Sequence, residues 1–275
     1  MSQQQSQSIL SQTALARLRQ SGTGTPGEGR PPLFTSDLSV NEFALLNEAG
    51  FQPLGLVMGS SIYHIGYQFQ AINQSQELQV LTQAMYTARE YAMARMEAEA
   101  DTLGADGIVG VRLEYRQYSW GDDLLEFMSI GTAVRSVSGG NWRTPAGKPF
   151  TSDLSGQDIY TLVRAGHAPV SFVLGTCVYH VAHQSFHQMW KTVGQNSEMP
   201  NFTQATYDAR EIAIARMQAE AERDGAEGIV GTRVSEENHI WGEDAIEFLA
   251  LGTSIRRREQ SGVVPAPALV LPMTD

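Results

Sequence analysis

The sequence predicts an α+β fold made of two tandem copies of one domain, each a β-α-β-β unit preceded by a short helix. The chain has 275 residues, which is enough for two domains. Residues 93–112, MARMEAEADTLGADGIVGVR, recur at 214–233 as IARMQAEAERDGAEGIVGTR, with 13 of 20 positions identical. Helical and β-rich stretches follow the same order in both copies. Two copies of about 105 residues indicate a duplicated domain rather than a solenoid of short repeats.

Each copy is predicted to begin with a short helix. Ser39 followed three residues later by Glu42 is a capping-box pattern, and Ser155 followed by Asp158 is a weaker version of it. Gly50 and its counterpart in the second copy then end the helix, because glycine readily adopts the left-handed conformation that terminates many helices.

A strand and a long helix follow. The runs LGLVMGSSIYHIG and SFVLGTCVYHVA are rich in β-branched and aromatic residues, which predicts a strand in each copy. A polar connection leads to a helix at about 78–103 and 199–224, where Ala, Met, Glu and Arg dominate. Its repeated alanines allow close packing against a sheet. On the same helix, Arg95 and Glu99 are spaced for an i,i+4 ion pair, as are their counterparts Arg216 and Glu220.

The last element of each copy is a hairpin, at about 107–117 with 124–135 and 228–238 with 245–256. Alternation gives its first strand two largely apolar faces. These faces hold Val109, Val111 and Leu113 on one side and Ile108, Gly110 and Arg112 on the other. One long helix can cover only one face of such a sheet, so we expect the sister domain or another subunit to cover the second.

The chain is expected to divide into five parts. Gln, Ser, Gly and Pro dominate the N-terminus, which predicts mostly disorder, although SILSQTALARLRQ can form one short amphipathic helix. The parts are an N-terminal arm at 1–32, domain 1 at 33–136, a linker at 137–148, domain 2 at 149–257 and a C-terminal tail at 258–275.

Composition excludes several classes of function. A net charge of −11 opposes binding to phosphate backbones, so we expect no nucleic-acid partner. No apolar run approaches the roughly 20 residues of a membrane helix, so we expect no membrane partner. One cysteine, Cys177, and no signal-peptide pattern favour a cytoplasmic protein.

The charged and aromatic residues of the hairpin are candidates for binding or interface roles. Arg112 faces Glu126 across the predicted hairpin, and Arg233 faces Glu247 in the second copy. A cross-strand pair of this kind would neutralise charges buried at a subunit contact. An enzyme built on Arg112 and Glu126 is a weaker hypothesis. Turn residues Trp120 and Trp241 could anchor an interface or pack locally.

Histidines suggest a second type of site. His64 and His180 match between the copies, each after a tyrosine on a strand, and a satisfied strand histidine is the simpler interpretation. His180, His183 and His187, with Cys177 nearby, have zinc-type ligand identities, so a divalent or soft metal is one candidate cofactor. A polar loop without metal is the simpler interpretation, because His183 and His187 align with Tyr67 and Ala71 in the first copy.

The sequence resembles the YbjQ family of bacterial proteins. The motif G-A-(D/E)-G-I-V-G-(V/T)-R, followed by a strand ending E-F-x-x-x-G-T-(A/S)-(V/I), carries the resemblance over roughly 51–135 and 167–256. It implies a small domain like the dodecin subunit, assembling as a five-membered ring, with the two domains of a chain stacked in two such rings. The family carries a heavy-metal label, but this sequence lacks the C-x-x-C loop of soft-metal modules.

These observations favour a non-enzymatic oligomeric scaffold or binding protein. We expect self-association into a ring, of five chains by the resemblance, with the N-terminal arm or the C-terminal tail as docking segments for a protein partner. The alternative is a metal- or small-ligand-binding protein with sites at domain interfaces or in the His180–His187 loop.

Overall fold

The fold is two β-α-β-β units with exchanged edge strands, seen in a computed structural model that describes residues 10–22, 35–64, 75–117, 124–137, 139–180, 200–238 and 245–258. Domain 1 contains α2 (Val40–Glu48), β1 (Phe51–His64), β2 (Gln76–Glu77), α3 (Gln79–Thr102), β3 (Gly107–Gln117) and β4 (Leu124–Ser136). Domain 2 contains β5 (Phe150–Thr151), α4 (Gly156–Arg164), β6 (His167–His180), α5 (Pro200–Arg223), β7 (Gly228–Asn238) and β8 (Ala245–Arg257). Helix α1 (Gln12–Gly22) precedes both. The predicted α+β duplication is therefore confirmed.

Each sheet contains one short strand from the other domain. Domain 1 has the strand order β1-β4-β3-β5, and domain 2 has β2-β6-β8-β7. β5 runs parallel to β3, whereas β2 runs antiparallel to β6. The exchange joins the two domains of the chain through the edges of their sheets.

Predicted helix boundaries are confirmed at several positions. Ser39 and Glu42 form the complete capping box of α2. The Ser155 hydroxyl accepts from the Asp158 N–H at 3.1 Å and so caps α4. Gly50 has φ 87° and its counterpart Gly166 has φ 80°, both in the left-handed region that favours glycine.

The predicted alternation along the first hairpin strand is wrong, because a β-bulge interrupts it. The register of β3 with β4 shifts between Val109 and Arg112, and Gly110 takes φ 63° there. Ile108 and Val111 consequently pack in the same core cluster as helix α3, while Val109 joins a separate cluster. Domain 2 repeats the bulge between Val230 and Arg233.

The long helices lie very close to their strands, as the alanine pattern predicted. A Cβ added at Gly59 would lie 2.1 Å from the Ala92 carbonyl oxygen, and one at Gly175 would lie 1.8 Å from the Ala213 carbonyl oxygen. The helices α3 and α5 can therefore approach β1 and β6 only because both strands carry glycine at this position.

Residues of both domains contribute to one hydrophobic cluster at the domain contact. Phe51 of β1, Trp142 of the joining segment and Phe150 of β5 are all buried, with ring centroids of Phe51 4.6 Å from Trp142 and 5.8 Å from Phe150. Their cluster also contains Ile159 of α4 and Leu46 of α2. The domain contact thus resembles a protein interior rather than a loose linker contact.

Candidate functional site

The junction between the domains is built by helix α3, which lies along the outer edge of strand β6. The side chains that contact this edge lie at i, i+4 and i+7 of the helix, so they share one face. Thr82 Oγ1 accepts from the Val178 N–H at 3.1 Å, and Tyr86 Oη accepts from the Thr176 N–H at 3.0 Å. Helix side chains therefore satisfy backbone groups that an open strand edge would leave exposed. We call Thr82, Tyr86 and Arg89 the first edge triplet.

Arg89 completes the triplet with an ion pair. Its guanidinium donates to both carboxylate oxygens of Glu220, at 2.8 and 3.1 Å, and to the Phe172 carbonyl at 3.4 Å. The Glu220 carboxylate also accepts from the Leu174 N–H at 3.1 Å. Arg89 is only 5% exposed, so the pair is largely removed from water and charge assistance strengthens it.

A second ion pair crosses the junction where β2 meets β6. Arg216 of α5 donates to both oxygens of Glu77, at 2.6 and 3.0 Å, and to the Thr176 carbonyl at 2.9 Å. The hydrogen bond to Glu77 raises the pKa of Arg216, so the guanidinium stays charged. The predicted i,i+4 pair of Arg216 with Glu220 is not formed, because each residue binds a partner across the junction instead.

A cavity of about 590 Å³ lies beside the junction and contains charged side chains of both signs. Lys148 binds Glu97 in it at 2.9 Å. Burial raises the pKa of Glu97, although the charge of Lys148 and its hydrogen bond act to lower it. Arg89 binds Glu220, so two of the cavity's cations already have carboxylate partners. Two cations and two carboxylates that line the cavity therefore neutralise each other.

Domain 2 carries a second copy of the edge triplet that caps no edge in the described residues. The first triplet lies in LTQAMYTARE, and the corresponding segment FTQATYDARE contains Thr203, Tyr207 and Arg210. Tyr207 is 51% exposed. Arg210 lies over the Tyr207 ring at 4.4 Å and pairs with its neighbour Glu211. We call these three residues the second edge triplet.

Domain 1 presents the matching surface on strand β1. Met58 is 39% and Ile62 is 57% exposed, whereas their counterparts Leu174 and Val178 on β6 are 2% and 0% exposed. Val178 is buried in a cluster with residues of α3. The sister domain therefore covers this face of β6, whereas the equivalent face of β1 is open to solvent. This confirms, for domain 2, the expectation that the sister domain covers the second face of the sheet.

The predicted hairpin arginines form ion pairs on the surface. Arg112 lies opposite Ile130 in the register and binds Asp37 at 2.7 Å, while Arg116 lies opposite Glu126. This differs from the expected Arg112–Glu126 pairing, because the register of the hairpin places Glu126 four residues along β4 from the residue opposite Arg112. In domain 2, Arg233 likewise binds Asp153 at 2.6 Å. The buried Glu247 lies opposite Val178 and Glu237.

The matched histidines lie at strand ends. His64 is the last residue of β1 and is exposed, whereas the half-buried His180 ends β6 and lies opposite Gln76 of β2. The difference follows from the strand exchange, because among the described strands β6 receives a partner strand at this point and β1 does not.

The predicted metal ligands lie partly outside the described residues. His183 and His187 are outside them, as are the turn residues Trp120 and Trp241. Cys177 is fully buried in the core between β6 and α5. No group of three or more His, Cys, Asp or Glu side chains in the described ranges could hold a metal ion. These described residues do not fit a soft-metal centre, and a site in the His180–His187 loop stays a prediction.

Cys177 is expected to be chemically inert in the folded protein. Burial raises the pKa of its thiol to about 12, with Glu77 adding to the effect, so almost no reactive thiolate exists near neutral pH. Iodoacetamide at pH 8 should leave the native thiol unmodified over an hour and alkylate it fully in 6 M guanidinium, as intact mass spectrometry would show. Rapid alkylation of the native chain would contradict the buried position.

Sequence reasoning missed the first edge triplet, although a signal for it was present. The repeated string T-Q-A-x-Y-x-A-R-E sets a threonine, a tyrosine and an arginine on one helix face in both copies.

No described helix is long and apolar enough to cross a membrane.

Comparison with known proteins places both domains in one family. The family model described as "Putative heavy-metal-binding" matches residues 52–137 and 166–258. An encapsulin nanocompartment protein of Mycobacterium tuberculosis is 56% identical over 241 residues, covering 87% of this chain and 92% of that protein. A UPF0145 protein of Methanococcus maripaludis is 41% identical and covers 30% of this chain and 78% of its own length. A UPF0145 protein of Natronomonas pharaonis is 42% identical and covers 22% of this chain and 55% of its own length.

Proposed function

This chain belongs to the YbjQ family, of which it carries two tandem domains, and we propose that it is a non-enzymatic scaffold that assembles head to tail with further copies of itself. One observation carries the proposal. The second edge triplet repeats, residue for residue, a triplet that caps a strand edge within the chain. The free triplet on domain 2 would cap β1 of domain 1 in the next copy.

The exposed surfaces support this partner rather than an unrelated one. The intrachain junction uses α3 of domain 1 and β6 of domain 2, and the surfaces left over are α5 of domain 2 and β1 of domain 1. These are the counterparts of the two used surfaces. Covering Met58 and Ile62 would remove apolar area that is now in water, at about 25 cal/mol per Å².

The open edge of β7 supports the same contact. On the equivalent strand β3, the Ile108 carbonyl accepts from the Ser152 N–H at 2.9 Å and the Val111 N–H donates to the Ser152 carbonyl at 2.8 Å. β7 is the last strand of its sheet and is exposed along 231–236. Residues 35–38 are the sequence counterpart of 151–154, and in a neighbouring copy they would provide the same kind of partner for β7.

A head-to-tail contact that closes on itself gives a ring. We propose five chains, following the family resemblance. The single buried cysteine suits a cytoplasmic location for this assembly.

The exposed tyrosine of the second triplet provides a clean test. Tyr207→Ala should raise the dissociation constant for self-association by at least about tenfold, because it deletes a central interface side chain. Tyr91→Ala is the matched control, since Tyr91 is 52% exposed on α3 and lies outside both triplets. Mass photometry over a dilution series would measure both. The proposed contact would be refuted if the two substitutions weakened self-association equally, or if neither of them weakened it.

The Mycobacterium relative adds a candidate partner, an encapsulin nanocompartment. The tail at 259–275 contains the apolar segment ALVLP, which suits docking into a groove of another protein. Co-expression with an encapsulin shell should co-purify the full chain and lose it when 259–275 is deleted. A control deletion of 2–9 should have no effect, and equal loss from both deletions would argue against docking through the tail.

A further inference from the structure

Helix α1 binds domain 1 at a site that repeats a feature of the domain junction. Arg17 donates to the Glu99 carboxylate at 2.6 Å and to the Leu56 carbonyl at 2.9 Å. Glu99 also accepts from the Met58 N–H at 2.9 Å. The guanidinium therefore lies between a helix carboxylate and a strand carbonyl, at the edge of β1.

The counterparts of these groups bind Arg89. Glu99, Leu56 and Met58 correspond in the repeat to Glu220, Phe172 and Leu174. Arg89 binds the first two, and Glu220 accepts from the Leu174 N–H as Glu99 does from the Met58 N–H. Arg17 thus occupies on domain 1 the guanidinium site that Arg89 occupies on domain 2.

The α1 helix is held there by apolar contacts as well as by charge. Leu15 and Leu18 are buried, and Leu18 packs in the cluster that contains Val57, Met93 and Met96 of domain 1. Arg19, two residues beyond Arg17, is exposed to solvent. The helix therefore buries one side against domain 1 and exposes the other side to solvent.

We infer that α1 is a tethered competitor of self-assembly, which occupies on domain 1 the site that Arg210 of a second copy would use. This inference rests on the head-to-tail contact proposed above. Arg210 corresponds to Arg89 and would require the Glu99 carboxylate and the Leu56 carbonyl. The buried Glu99 carboxylate has room for one guanidinium at this edge, so α1 and the second copy cannot bind domain 1 at the same time. Assembly then requires the release of α1, and a partner that holds α1 away would promote it.

Substitution of Arg17 tests the competition. The apparent affinity of a protein for its partner falls by the fraction of molecules in the competent state. Arg17→Ala should weaken the α1 contact and lower the dissociation constant for self-association by at least about tenfold. Thr13→Ala, at an exposed position of the same helix, should leave it unchanged. Mass photometry measures both, and circular dichroism melting confirms that the variants fold.

A second measurement uses the unmodified chain. Amide hydrogen exchange of residues 12–22 should accelerate as the protein concentration is raised through the assembly midpoint, because α1 is displaced. The wild-type chain could assemble while Arg17→Ala leaves the dissociation constant unchanged and the amide exchange of residues 12–22 stays constant. That result overturns the role of α1 as a competitor and leaves the proposed scaffold intact. Absence of self-association in the wild type and in Arg17→Ala overturns the scaffold, and the competitor with it.

Discussion

Gly175→Ala is expected to destabilise domain 2 by about 3 kcal/mol, an effect at the upper end for overpacking in a core. The added methyl would lie 1.8 Å from the Ala213 carbonyl oxygen and 2.6 Å from the Met217 amide nitrogen. Both are helix backbone atoms, so no rotamer change can relieve the contact. Helix α5 would have to move away from β6, and the buried cluster between them would lose packing.

Urea denaturation followed by circular dichroism would measure the loss. Gly228→Ala is the matched control, because its added methyl would meet only the Ile255 side chain, at 3.9 Å. That variant should stay within about 0.5 kcal/mol of the wild type, as is usual for a substitution without a named defect. Equal stability of the two variants would mean that α5 does not depend on close approach at Gly175.

Arg89→Met is expected to destabilise the chain by about 2–3 kcal/mol. Removing one partner of a buried ion pair typically costs about 3–5 kcal/mol, because the other charge stays buried without compensation. Glu220 keeps some exposure and has Arg223 at 3.8 Å, so we expect a smaller value here. The loss should appear as easier separation of the two domains, since Arg89 joins α3 to domain 2.

Arg210→Met is the internal control for this prediction. The side chain occupies the same position in the repeat but is 37% exposed, and its partners are Glu211 and the Tyr207 ring of the same helix. Its loss should cost about 0.5 kcal/mol or less when unfolding is measured at nanomolar concentration, where assembly does not bury it. A similar loss for both arginines would remove the energetic distinction between the used and the unused triplet.

Local patterns predicted the parts of the fold that local interactions determine. The capping box at Ser39 and the glycine stops at Gly50 and Gly166 depend on neighbours in sequence, and they were predicted correctly. The bulge at Gly110 was missed because the string GIVGVR fits plain alternation as well as a bulge. Only the pairing with β4 decides between the two, and pairing is not a local property.

The ion pairs were misassigned for a related physical reason. In an isolated helix Arg216 and Glu220 would bind each other, for a few tenths of a kcal/mol. In the folded chain the edge of β6 offers unsatisfied backbone groups, and leaving these buried without partners would cost more. Both side chains therefore bind the strand edge and a partner in the other domain. The sequence repeat shows that Thr82, Tyr86 and Arg89 have counterparts, but burial alone distinguishes the used copy from the free one.

A complementation experiment tests the central claim, that one chain's domain 2 docks on the next chain's domain 1. Tyr207→Ala with Arg210→Ala removes the docking helix face, and Ile62→Lys places a charge on the receiving strand. Each variant alone should be monomeric at 30.1 kDa at concentrations where the wild type assembles. Mixed, they should form a dimer of about 60 kDa, twice 30.1 kDa, because each supplies the surface that the other lacks. Mass photometry of the mixture showing monomers alone would contradict a head-to-tail assembly.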